Sequence, residues 1–140
     1  MRNRSFATLG TLTLLAAASA FGQQKMRVDI PFEFRFANSV MPAGQYDVDR
    51  DSSNVRNLLS LECRACRVHT YSITFPTGGG LDTSNVDRLV FNKYGETYFL
   101  AEVWTSGQSQ GVALGKSKTE REIARITLPG QTSQVILAQR

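Results

Sequence analysis

Cys63-Arg64-Ala65-Cys66 is the segment of this chain whose residue types and spacing point most directly to chemistry. A Cys-x-x-Cys pair can act as a redox dithiol, supply half a zinc site, or anchor a haem. Haem attachment needs histidine directly after the second cysteine, and Arg67 stands there. A redox pair of the thioredoxin type sits at a helix N-terminus, which lowers a thiol pKa, whereas β pattern surrounds the pair here. A zinc reading recruits His69 as a third ligand. If Arg64-Ala65 is a two-residue hairpin turn, Cys63 faces Cys66, Glu62 faces Arg67 and Leu61 faces Val68. That register pairs unlike charges and like apolar groups. His69 then points away from Cys66, to the opposite face. The turn is the weak element, because Arg-Ala lacks the Gly or Asn that two-residue turns favour. In an oxidising compartment the expectation is a local structural disulfide between Cys63 and Cys66. Closing so small a loop stabilises by about 2 kcal/mol. A thiol–disulfide oxidoreductase using the same two residues is the alternative.

The other candidates read as structure. His69 is the only histidine, with no serine elbow or cysteine partner at a spacing that suggests a triad. Asp47, Asp49 and Asp51 alternate before Ser52 and Ser53. An EF-hand loop counted from Asp47 needs Gly and Glu where Ser52 and Leu58 stand, so a solvated acidic loop is expected. Phe91, Tyr94, Tyr98, Phe99 and Trp104 are expected to fill a core. Tyr94, Tyr98 and Trp104 are kept as a candidate ligand or partner surface. Lys118, Arg121 and Arg125 share one helical face, interleaved with Glu120 and Glu122, and read as a solvated face. Gly78-Gly79-Gly80 does not precede a helix with a Lys-Ser/Thr pair and is no phosphate loop. No catalytic residue, metal site or cofactor is assigned.

The elements that must position these residues are mainly strands. Met26, Val28, Ile30, Phe32, Phe34 and Phe36 alternate with Arg27, Asp29, Pro31, Glu33 and Arg35, the period of a half-buried strand. Pro31 cannot donate a ladder hydrogen bond, so that strand lies at an edge or bends there. Such an edge could pair with another chain. Met41-Pro42-Ala43-Gly44 is a turn. A short strand with Tyr46 and Val48 inward follows, then a polar loop from Asp49 to Asn54. Leu58 to Phe75 reads as a hairpin, and Pro76 to Asn85 as a flexible stretch. Residues 87–93 and 97–105 form a second hairpin about Lys93-Tyr94-Gly95-Glu96. Gly107 to Gly111 is a loop. Ser117 to Arg125 is the helix candidate, since Ser117 with Glu120 makes a capping box. Gln134 to Gln139 closes as a strand. The pattern predicts a mainly all-β fold. It is a single antiparallel β-sandwich or small β-barrel of seven or eight strands, with one short helix near residues 117–125.

Composition and the N-terminus bound the setting. Arg2 and Arg4 precede an uncharged apolar run from Phe6 to Ala18, and Ala18-Ser19-Ala20 fits an A-x-A cleavage site. Cleavage after residue 20, or after Gly22, leaves one β-rich domain over residues 21–140. The protein is then expected in the periplasm or outside the cell. The run is too short to span a bilayer, and the mature chain has no integral membrane segment. Losing Arg2 and Arg4 takes the 16 basic residues to 14 against 12 acidic, a balance of +2. That is too weak to imply nucleic acid as a partner.

Five blocks stand in order along the chain: Ile30-Pro31-Phe32-Glu33-Phe34; Met41 to Tyr46; Leu89 to Leu100; Val103-Trp104; and Lys116 to Glu122. Together they resemble a group of short exported proteins of unknown function from soil bacteria. The resemblance implies bacterial export and a β-rich domain. It supplies no activity, ligand or catalytic residue, and it implies no cysteine pair, so residues 58–75 are individual to this chain. The functional expectation is an exported, non-catalytic β-domain that binds an envelope partner or a small ligand.

Overall fold

The computed structural model describes residues 24–51, 57–78, 86–127 and 132–137. The export signal expected over residues 1–20 and the glycine loop from Gly79 onward lie outside them.

The alternating N-terminal segment does not form one strand. β1 (Gln24–Ile30) ends at Pro31, and β2 (Phe34–Phe36) begins after Glu33. Pro31 cannot continue the ladder. A two-residue turn, Ala37-Asn38, leads to β3 (Ser39–Met41), with Phe36 opposite Ser39. Ala37 takes the positive φ, 54°, that such turns require. β4 (Gly44–Asp51) follows. It runs past Val48, so Asp49 and Asp51 lie on a strand and not in the expected loop. The alternation that turns Tyr46 and Val48 inward simply continues.

β5 (Leu58–Cys63) and β6 (Val68–Thr77) form the expected hairpin. β6 extends two residues beyond Phe75, so Pro76 belongs to a strand. β7 (Arg88–Tyr94) and β8 (Thr97–Trp104) turn about Gly95-Glu96; Gly95 has φ 60°. β9 (Gly111–Leu114) was not legible as a strand. Helix α1 (Lys118–Ile126) and β10 (Thr132–Leu137) complete the chain.

The ten strands join in one open sheet. Its path is β1-β4-β5-β6-β9-β8-β2-β3, with β7 on β8 and β10 on β7. Every pairing is antiparallel except β2 with β8, which is parallel. The sheet is therefore mixed, and it has more strands than the pattern suggested because β2, β3 and β9 are only three or four residues long. Both halves of the sheet line one core. Met26, Val28, Ile30, Tyr46, Val48, Leu59, Leu61 and Cys63 come from one half, and Leu89, Phe91, Leu100, Val103 and Val112 from the other. Phe34 joins them, its ring edge-on to Tyr46 at 5.3 Å and to Phe91 at 5.4 Å. Burying each such side chain is worth about 2 kcal/mol. The Tyr46 hydroxyl donates to Pro42 O at 2.6 Å, tying β4 to the turn before it. Burial pushes this phenol up to about 12.

Candidate functional site

The two cysteines close the β5–β6 turn. Their sulfurs are bonded at 2.00 Å. The hairpin register differs from the expected one: Cys63 stands opposite Val68, Glu62 opposite His69 and Leu61 opposite Thr70. Arg64 to Arg67 is thus a four-residue turn, closed by Arg67 N–H donating to Arg64 O at 3.3 Å. Within this wider turn Arg67 takes a positive φ, 55°. The slip is two residues, which preserves the face of every side chain. His69 therefore still lies across the sheet from the buried Cys63.

The sulfurs are sheltered. Cys63 is fully buried and Cys66 half-buried. Cys66 N–H donates to Cys63 Sγ at 3.2 Å. Gly44 packs beneath the pair, where a Cβ would lie 3.1 Å from Cys66 Sγ and 3.4 Å from Cys63 Sγ. Arg64 faces Asp47 at 3.5 Å and Glu62 at 3.8 Å, and Asp47 also holds Arg27 at 3.0 Å. Arg64, adjacent to Cys63 in the chain, is thus partly neutralised by carboxylates. Among the described residues, no three His, Cys, Asp or Glu groups come together in a way that could hold a metal ion.

His69 is exposed and hydrogen-bonds Ser60 Oγ through Nε2 at 2.8 Å. This contact was not read from the sequence. It needed the hairpin register, which sets both side chains on the outer face. Among the described residues no carboxylate holds the other ring nitrogen, and the pair stands on an open sheet face. It therefore lacks the third group of a triad.

The aromatic candidates do not converge. Tyr94 is buried against Phe99, with ring centroids 5.8 Å apart. Its hydroxyl donates to Glu120 at 3.2 Å, and Asn92 Nδ2 donates to the same carboxylate oxygen at 3.0 Å. Burial first, and the Glu120 charge second, raise the Tyr94 phenol above its ordinary value, with Lys116 opposing. Glu120 is itself buried, and it pins α1 to the β7–β8 hairpin. Ser117 caps the helix, accepting from Glu120 N–H at 3.1 Å. The Glu120 carboxylate goes to the sheet, where a full capping box would return it to Ser117. Tyr98 stacks on Phe32 at 3.9 Å, with Lys93 5.1 Å from its ring centre. Trp104 has Arg88 4.8 Å from its ring centre and donates through Nε1 to Glu102 at 2.8 Å. Its ring covers Gly111, where a Cβ would come within 2.7 Å. Each of the three rings already has partners from its own chain. Lys118, Arg121 and Arg125 are exposed, as a solvated face requires.

The surface that stands out is β6. Its even-numbered residues turn inward beside Leu59, Leu61 and Cys63; they are Val68, Thr70, Ser72 and the buried Thr74. Its odd-numbered residues turn outward. Tyr71 is 69% exposed, Ile73 56% and Phe75 59%. The more apolar face of this strand is the wet one, the reverse of β1, β4 and β5. Ser60 and half-buried Leu58 on β5, and Ala113 on β9, stand beside it on that face. The alternation of Tyr71, Ile73 and Phe75 was visible in the sequence. Its outward direction was not.

Fold and surface together define a small, mainly β domain with a disulfide-closed turn and one outward apolar strand. No protein-family model matches the chain, and neither a curated protein nor a solved structure matches it.

Proposed function

We propose that the protein is a non-catalytic binding domain that works outside the cytoplasm and recognises its partner through the outer face of β6. The observation that carries this reading is the row Tyr71, Ile73, Phe75, which faces water on a strand whose other face is largely polar. Single exposed apolar residues are ordinary, but a contiguous apolar row on one strand marks a contact surface. Export supports the setting through the basic, apolar and Ala-x-Ala pattern of residues 2–20. The test is purification of the folded chain from its native envelope, beside the Tyr71→Lys/Ile73→Lys variant. A stoichiometric companion or self-association that the variant loses supports the reading. Identical behaviour of the two proteins overturns it.

A thiol–disulfide oxidoreductase is the competing reading, and it rests on the Cys66 N–H directed at Cys63 Sγ. That donor would stabilise a thiolate on Cys63 after reduction. Against it, Cys63 is fully buried. Insulin reduction by dithiothreitol, with and without the protein, separates the two. Acceleration lost on Cys66→Ala would establish the redox activity.

A further inference from the structure

Gly44 leaves a space that both sulfurs of the β5–β6 turn line. A Cβ built on it would stand 3.1 Å from Cys66 Sγ and 3.4 Å from Cys63 Sγ. Apart from Gly44 and its two chain neighbours, no other atom of the described residues lies within 4 Å of that point. The space sits at the end of the core, because Cys63 shares the inner face of β5 with Leu59 and Leu61. Gly44 and Cys66 are only half-buried, so solvent reaches its rim.

The frame around this space does not depend on the bond between the sulfurs. β5 is laddered to β4 on one side and β6 on the other, with Cys63 opposite Val68. Arg67 N–H closes the turn on Arg64 O. Cys66 N–H is directed at Cys63 Sγ, and a donor aimed at sulfur favours its thiolate. Glu62, with Asp47 and His69 opposite it, belongs to the other face of the sheet. Among the described residues, no third His, Cys, Asp or Glu joins the two cysteines. Once reduced, the space therefore offers an ion two thiolates and no further charged or imidazole ligand. Structural zinc takes four ligands, and calcium and magnesium take oxygen. Soft thiolates select Cu(I), which is satisfied by two sulfurs.

We propose that the reduced Cys63–Cys66 pair, with Gly44 as its floor, binds one Cu(I) ion. The site opens on the inner side of the hairpin, so it stands apart from the reading of the outer face of β6. Two thiolates and one monovalent cation leave a single negative charge. Arg64 follows Cys63 and Arg67 follows Cys66, which places positive charge beside it even though Arg64 is shared with Asp47 and Glu62. The disulfide form has no thiolate to give and holds no metal. A dithiol donor opens it: two electrons and two protons pass to the sulfurs, and the donor becomes a disulfide. Cu(I) then displaces both thiol protons, and the copper stays monovalent.

Anaerobic titration of the reduced full chain with Cu(I), against bicinchoninate as competing chelator, tests this. The chain should keep its circular dichroism on reduction and take one Cu(I) per molecule from the chelator. X-ray absorption should show two sulfur neighbours on the metal. Cys66→Ser should abolish binding. Gly44→Ala puts a methyl group in the space and should weaken binding by about tenfold, with the fold intact by circular dichroism. His69→Ala, on the opposite face, should bind as the parent does. Copper left with the chelator overturns the proposal, as do nitrogen or oxygen neighbours in place of sulfur. Cys66→Ser or Gly44→Ala binding as tightly as the parent, or His69→Ala binding more weakly, also overturns it. Loss of the fold on reduction overturns it as well, because the space goes with the fold.

Discussion

Two edges of the same sheet are built in opposite ways. β1, which among the described residues pairs with β4 alone, turns Met26, Val28 and Ile30 into the core and presents Lys25, Arg27 and Asp29 to water. Arg27 is tied to Asp47, and Pro31 ends the strand. Charge and proline are the ordinary means by which an edge is kept from pairing with another chain. The first half of β6 has neither, and it turns its apolar residues outward. An edge position alone therefore does not make a docking site. Pro31 drew attention to the N-terminal strand as an edge that could pair, yet that edge is defended. The undefended one lies in the middle of the chain, at residues 68–73, where among the described residues no strand pairs with the edge away from β5.

The sharpest contrast is between the two faces of the β5–β6 hairpin. Leu61→Ala, on the inner face, should cost about 3 kcal/mol through lost burial and the cavity left behind. Tyr71→Ala, on the outer face, should change stability by no more than about 0.5 kcal/mol. Urea unfolding of both variants checks this, and a comparable loss at Tyr71 would mean that β6 is covered by its own chain.

The turn that bounds the open edge gives the next effect. Cys63→Ala/Cys66→Ala should fold and lose about 2 kcal/mol, seen as a lowered melting point. Failure to fold would mean that the disulfide organises the hairpin rather than trimming it. At the helix, away from both edges, Ser117→Ala should cost about 1 kcal/mol by removing the cap on Glu120 N–H, read in the same unfolding experiment.

Removing the defence of β1 should barely touch stability. Lys25→Thr/Arg27→Thr loses an exposed ion pair worth at most about 0.5 kcal/mol. Sedimentation should nevertheless show new self-association, because two of the charges that keep the β1 edge from pairing are gone. No new association would mean that Lys25 and Arg27 do not keep this edge from pairing.

Alkaline titration probes the half of the core behind β1. The Tyr46 phenol is held in its neutral form by burial, with its pKa raised from 10.0 to about 12. A neutral form favoured by folding means that the folded chain keeps a proton that the unfolded chain loses. This stabilisation is complete below pH 10 and is lost as pH rises through 12. Tyrosinate absorbance should show a late-titrating class that disappears in Tyr46→Phe.

Much of the framework was legible in the residues. The alternation of residues 26–30, the β7–β8 hairpin about Gly95 and the Ser117 cap are local signals, and each is present. The break at Pro31 was anticipated as a bend, but the destination of β2 was not. Its parallel pairing with β8 joins residues more than sixty positions apart. β9 escaped notice because Gly-Val-Ala-Leu is too short to show a period. At the candidate sites, the expected bond between the two cysteines is present, whereas the expected two-residue turn is replaced by a four-residue one. Tyr94, Tyr98 and Trp104 do not come together, because nearness in sequence on two paired strands does not place rings together. Tyr94 went beneath α1, Tyr98 against Phe32, and Trp104 over Gly111.

What the amino-acid order determined on its own is which side chains share a face, where the chain must turn and which two sulfurs can bond, because these depend on geometry within a few residues. Which face of β6 meets the core, and that the edge of residues 68–73 away from β5 has no paired strand among the described residues, were decided by the tertiary structure. Both depend on where distant strands begin and end: β5 carries Leu59, Leu61 and Cys63 inward and so sends Tyr71 and Ile73 outward, and β9 pairs with β6 only from Thr74 to Thr77. An alternating strand has two faces and two edges, and only its neighbours choose between them.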